Sequence, residues 1–234
     1  INTDNLEDNA EAELLEIQAE NAYRIFHEPL KSFQKLGGNT ELETAKVILL
    51  GNDHTDMLHK IAIDGFIEHI AEDGDIVLLE GREKGEKINK GDDIHVGDVV
   101  SKNVVILGWD NTVLKKKVSQ GIKMLYEISD QKEEAQKIQD FEDVHALTSL
   151  FNKLNGVTWF IAIHERNKSL ITMLHDTIKE NQKKRIFVIA GTYHFTEDIN
   201  LVKNVEQYPY IILEPNIQDH ESLRIDMEKY YKEN

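Results

Sequence analysis

Val47-Ile48-Leu49-Leu50-Gly51-Asn52-Asp53-His54 and Phe187-Val188-Ile189-Ala190-Gly191-Thr192-Tyr193-His194 are two versions of one pattern. Each is an apolar run, then glycine, two residues and histidine. Each leads into an acidic helix start, Thr55-Asp56 in the first and Thr196-Glu197-Asp198 in the second. Short uninterrupted apolar runs mark strands buried on both faces, as parallel sheets require. At this composition chance alone gives on the order of one Gly-x-x-His match, so spacing by itself says little. Position says more. Both histidines fall just past the carboxyl end of a strand, where open parallel sheets bind ligands.

Outward from this pair the same kind of run recurs. Residues 76–79 lead to Glu80, 104–107 lead to Gly108-Trp109-Asp110, and 210–213 form a fifth run. Helical periodicity fills the gaps at 57–70, with Leu58, Ile61, Ala62, Phe66 and Ile70 on one side, and at 199–205. Strands alternating with helices predict an α/β fold, a mainly parallel sheet flanked by helices with right-handed crossovers. Residues 111–181 interrupt the alternation with helices alone, broken near Asn155-Gly156. They read as a helical insertion, a candidate cap over the sheet. Residues 1–40 read as an N-terminal helical segment closed by Gly37-Gly38-Asn39, 81–97 as a charged solvated loop, and the tail after Gln218 as helix. The expectation is one domain over 1–234, with an α/β core over 46–213.

Composition narrows the functional classes. The chain has 234 residues, no cysteine and a formal charge of −16. That length buries a core without disulfides or a structural metal. Lack of cysteine removes thiolate catalysis and cysteine-type zinc sites. The negative charge repels phosphate backbones and no basic stripe offsets it, so nucleic acid is not an expected partner. No apolar run approaches the ~20 residues of a transmembrane helix. The acidic start, beginning at Ile1, does not read as a signal peptide. A soluble protein is expected, cytoplasmic or secreted, with its oligomeric state open and a small molecule or peptide as its substrate.

If the strands are parallel, His54, Glu80, Asp110 and His194 share one rim. Two imidazoles with carboxylates suit a divalent metal, or activation of water without one. Against this stands a plain structural role: Thr55 or Asp56 as a helix cap, His54 as a loop residue, Asp110 as the cap of the next helix. Arg166, opening a helix with an apolar side, is placed to reach a rim carboxylate or a developing oxyanion. Asp53, Tyr193 and Arg82 lie beside strand ends and are further candidates. His59 lies on another helix face, and His164 reads as structural. Both motif histidines lie outside the apolar runs, so removing either is expected to abolish hydrolysis and leave the fold intact.

The paired Gly51-x-x-His54 and Gly191-x-x-His194, with Glu80 closing the strand between them, resemble the superfamily of TraB/Tiki proteins, ChaN-type haem-binding lipoproteins and erythromycin esterases. Glu165-Arg166-Asn167 is similar to that superfamily's Arg-Asn or Arg-Asp helix start. Leu107-Gly108-Trp109-Asp110 is similar to the Gly-aromatic-Asp strand end of the esterase branch. The chain departs from these relatives at Asn52-Asp53, where many esterases carry Glu, and at Tyr193, where small residues are common. The resemblance implies an active rim of His54, Glu80, Arg166 and His194, and hydrolysis of a peptide, ester or lactone. It implies a divalent metal held by His54, His194 and Glu80 in one branch and haem as the ligand in another. A catalytically silent domain of a larger effector or toxin is the remaining alternative.

Overall fold

The structure, a computed structural model, describes residues 19–54, 56–92 and 96–217. Its centre is a seven-stranded sheet of β1 (Phe33–Gly38), β2 (Val47–Asn52), β3 (Ile76–Glu83), β4 (Lys87–Ile88), β5 (Val105–Asp110), β6 (Ile186–Gly191) and β7 (Tyr210–Pro215). The spatial order is β1-β7-β2-β6-β3-β5-β4. The inner strands β7, β2, β6, β3 and β5 are mutually parallel, and β1 and β4 close the edges antiparallel. The fold is therefore α/β, with the apolar runs read from the sequence at its centre.

Strand alternation sorts the core into two layers. Val47, Leu49, Leu78, Val188 and Ile212 face one side, against Leu170 and Leu174 of α4 (Arg166–Glu180) and Leu201 of α5 (Ile199–Val205). Ile48, Leu50, Val77, Phe187 and Ile211 face the other, against Ile63, Phe66 and Ile67 of α1 (Met57–Ile70). Both faces are covered, which is why these strands tolerate no polar alternation. Asp56 caps α1, its carboxylate accepting from the Leu58 N–H at 2.9 Å.

Three expectations are corrected. The segment 1–40 is helical over 19–27 and then becomes strand β1, paired with β7; the expected helix before residue 19 and the tail helix after Gln218 lie outside the described residues. The 81–97 loop contains the end of β3 and the short edge strand β4. The insertion breaks at Ile138–Asp140, not at Asn155-Gly156, which lie within a continuous helix. It comprises α2 (Thr112–Lys137) and α3 (Phe141–Phe160), with Gln139 taking a left-handed φ of 59° between them. Asp140 then caps α3 by accepting from the Asp143 N–H at 3.1 Å, and a capping side chain starts a helix as firmly as a glycine ends one. These two helices pack chiefly against each other as a hairpin and not as a layer on the sheet, whereas α4, the last part of 111–181, does cover the sheet through Leu170 and Leu174. A π-helical turn, Ile161–Glu165, joins α3 to α4.

Candidate functional site

The strand order assembles the rim. β2, β6, β3 and β5 are consecutive neighbours, so their carboxyl ends deliver His54, His194, Glu80 and Asp110 side by side. Asn52 pairs with Gly191 in register, which sets the two Gly-x-x-His segments against each other. Gly191 is needed for space: a Cβ there would stand 3.1 Å from His54 Nε2. Gly81 is needed for conformation. Its φ of 86° turns the backbone after Glu80 so that the Gly81 N–H donates to Asp110 Oδ2 at 3.0 Å.

Glu80 is the hub. Its Oε2 takes the Gly191 N–H at 2.8 Å and lies 3.1 Å from His54 Nε2. Its Oε1 takes Arg166 Nη2 at 2.5 Å and lies 3.3 Å from His194 Nε2. Burial alone would raise the Glu80 pKa, but hydrogen bonds from His194 and His54 and the Arg166 charge outweigh it and hold the carboxyl well below its usual range. Arg166 also reaches Asp110, Nε to Oδ1 at 2.9 Å and Nη2 to Oδ2 at 2.5 Å. Burial pulls its pKa down, and Asp110 and Glu80 more than restore it.

The two histidines differ. His194 is buried, with Nδ1 2.7 Å from Asn167 Oδ1. Asn167 Nδ2 donates at 2.9 Å both to the His194 carbonyl and to Asp198 Oδ2, which fixes the amide so that its oxygen faces the ring. The His194 Nδ1 therefore carries a hydrogen. Asp198 is itself approached by His164 Nδ1 at 3.3 Å, and Trp109 packs edge-on to His194 with centroids 5.3 Å apart. The His54 side chain is 46 % exposed and lines a cleft of about 380 Å³ with Asn52, Asp53, Thr192, Tyr193 and Glu214. Its hydrogen bond to Glu80 raises the His54 pKa above the ordinary 6.5, against the opposing effect of burial.

His54, Glu80, Arg166, His194 and Asp110 thus converge. Asp53 and Tyr193 line the cleft without joining the hub; Tyr193 packs edge-on to Trp159 at 5.1 Å. Arg82 points elsewhere, its Nη2 donating to the Asp92 carbonyl at 2.6 Å. Asn167 and Asp198, not singled out from sequence, are the buried supports of His194. Asn167 follows the singled-out Arg166, and Asp198 closes the acidic helix start after the second motif, so both signals were adjacent. Compared with protein-family models, with curated proteins and with solved structures, the chain matches none.

A divalent cation does not fit the donors as they stand. The four Glu80 contacts use both carboxylate oxygens, one of them with a fixed guanidinium, and the histidines address different oxygens of one carboxylate instead of a common point. Among the described residues no group of three or more acidic or histidine side chains is disposed to hold an ion.

Proposed function

We propose that the chain is a hydrolase of a peptide, ester or lactone, in which His54 is the general base and Glu80 orients it. The observation that carries this reading is the buried, ionised Glu80 hydrogen-bonded to the one motif histidine that opens onto a cleft. Glu80 holds the hydrogen on His54 Nε2. Nδ1 then bears the lone pair, and it takes a proton from a cleft water once that water replaces the Asn52 amide, whose Nδ2 lies 3.4 Å away. The water's oxygen attacks the substrate carbonyl, and the proton held by His54 passes to the leaving group. His194 and Arg166 fix the carboxylate so that little reorganisation is required during reaction. Arg166, whose Nε and Nη2 hold Asp110 and Glu80, serves as a positioning residue.

The described residues of the cleft walls include Asp53 and Glu214 and no lysine or arginine, which favours neutral or cationic acyl substrates over anionic ones. The test is a panel of peptide, ester and lactone substrates with the wild-type protein and His54→Ala. Loss of the base is expected to lower the rate by ~10²–10⁴. EDTA is expected to leave the rate unchanged. A His54→Ala protein as active as the wild type ends the proposal, and activity abolished by EDTA and restored by a divalent ion returns the metal branch of the resemblance.

A further inference from the structure

The insertion hairpin carries a second cavity that shares no residue with the rim cleft. It is about 950 Å³, and its described lining comes entirely from α2, α3 and the turn between them. Its apolar lining is Ala135 and Ile138 on one side and Ala146, Leu147 and Leu150 on the other. They recur three and four apart, so they make one continuous apolar seam along the paired helices. Ile138 is 75 % exposed and Leu150 51 %, and Phe141 at the turn is 78 % exposed. A contiguous bare seam of this kind marks an interaction surface more often than scattered apolar residues do.

The rim of the groove is acidic. Asp130, Glu133, Glu134 and Asp143 line the groove beside the apolar residues, and the neighbouring Lys137 is paired with Glu134 at 2.6 Å. We infer that this groove docks a basic amphipathic helix of a partner protein, its apolar face on the seam and its lysines or arginines against the flanking acids. A helix laid in such a groove is a recurring mode of peptide recognition.

Charge selects this occupant over the others within reach. A second copy of the chain would bring the same acids against themselves. Residues 1–18 contain Asp4, Glu7, Asp8, Glu11, Glu13 and Glu16 and no lysine or arginine, so they are repelled. In residues 218–234 acids again outnumber bases. Like charges set opposite each other across an interface repel and disfavour a partner.

The test uses the full chain and two synthetic peptides, each about three heptads long, with leucine on the apolar face and either lysine or glutamate elsewhere. Saturable binding of the lysine peptide is expected by fluorescence anisotropy, weakening as salt rises from ~50 to ~300 mM. Amide shifts are expected to cluster on residues 130–150. The double variant Asp130→Lys/Glu133→Lys, both exposed on the helix surface, should weaken binding by roughly tenfold or more. Leu150→Ser should weaken it without changing the salt dependence. Equal binding by the glutamate peptide, shifts outside 130–150, or undiminished binding by both variants overturns the inference. So does dimerisation of the chain through the hairpin, or loss of the 130–150 signals on neutral phosphatidylcholine vesicles, which would name a membrane as the occupant.

Discussion

Glu80 and His54 define each other's charge, and that coupling can be measured without a substrate. The raised His54 pKa arises first from its hydrogen bond to Glu80. Glu80→Gln keeps the shape and removes the charge, leaving burial and the Arg166 charge to lower the pKa against Asp53 alone. The His54 titration followed by NMR is therefore expected above pH 6.5 in the wild type and at lower pH in the variant. In a pH–rate profile, the ascending limb moves the same way, because the base works only when neutral. An unmoved titration would show that Glu80 does not govern the ring. The two histidines also part company in stability, contrary to what their shared motif suggests. His54 is half exposed, so water can replace it at Glu80, and its truncation to alanine is expected to cost about 0.5–1.5 kcal/mol. His194 is buried between Asn167, Glu80 and Trp109, and His194→Ala strands those partners. A loss of about 1–3 kcal/mol in a urea titration is expected, the usual cost of unsatisfied buried polar groups.

Elements explain which parts of the site could be read from sequence. The strands that carry His54, Glu80, Asp110 and His194 are uniformly apolar, so both their existence and their parallel sense were legible. β1 was not, because its burial alternates weakly and its closing Gly37-Gly38 reads as a break when the partner strand is unseen. β4 has two residues, one of them a lysine, and exists through its pairing with β5. The break in the insertion was misplaced because Asn155-Gly156 looks like a turn, whereas the actual turn at Gln139 has no glycine. The π turn before Arg166 left no signal in the periodicity, yet a π turn is a local insertion that re-aims the residues after it, and such turns gather at functional sites. The division between the two glycine motifs also rests on tertiary contact. Gly191→Ala puts a methyl 3.1 Å from His54 Nε2. The expected result is a folded protein with lowered activity and a displaced His54 resonance. Wild-type activity with an unmoved resonance would mean the methyl is accommodated without displacing the ring.

At the scale of the molecule, stability against pH is set by carboxylates of opposite character. Glu80 is held well below its ordinary pKa, so its contribution is present above ~4.5 and is lost as pH falls through the lowered value. Asp64 on α1 does the reverse. Burial pushes it up to about 6, although its Oδ1 accepts the Gly97 N–H at 2.9 Å. A raised carboxyl favours the folded state fully below ~3.8, and that advantage disappears as pH rises through about 6. At pH 7 the folded protein therefore carries a strained Asp64 charge, and it is most stable between the two titrations. Asp64→Asn keeps an oxygen to accept from Gly97 and removes the charge. The shift of roughly two pKa units sets an upper bound near ~3 kcal/mol. Partial contact with solvent reduces the expected gain to about 1–2 kcal/mol at pH 7.5. Thermal or urea unfolding at pH 7.5 and pH 4 checks it, with the variant more stable at the first and equal to the wild type at the second. Because Asp64 lies on the sheet face opposite α4 and makes no contact with Glu80, the gain should appear without any change in the His54 titration. A variant no more stable at pH 7.5 would show that the charge is already solvated there.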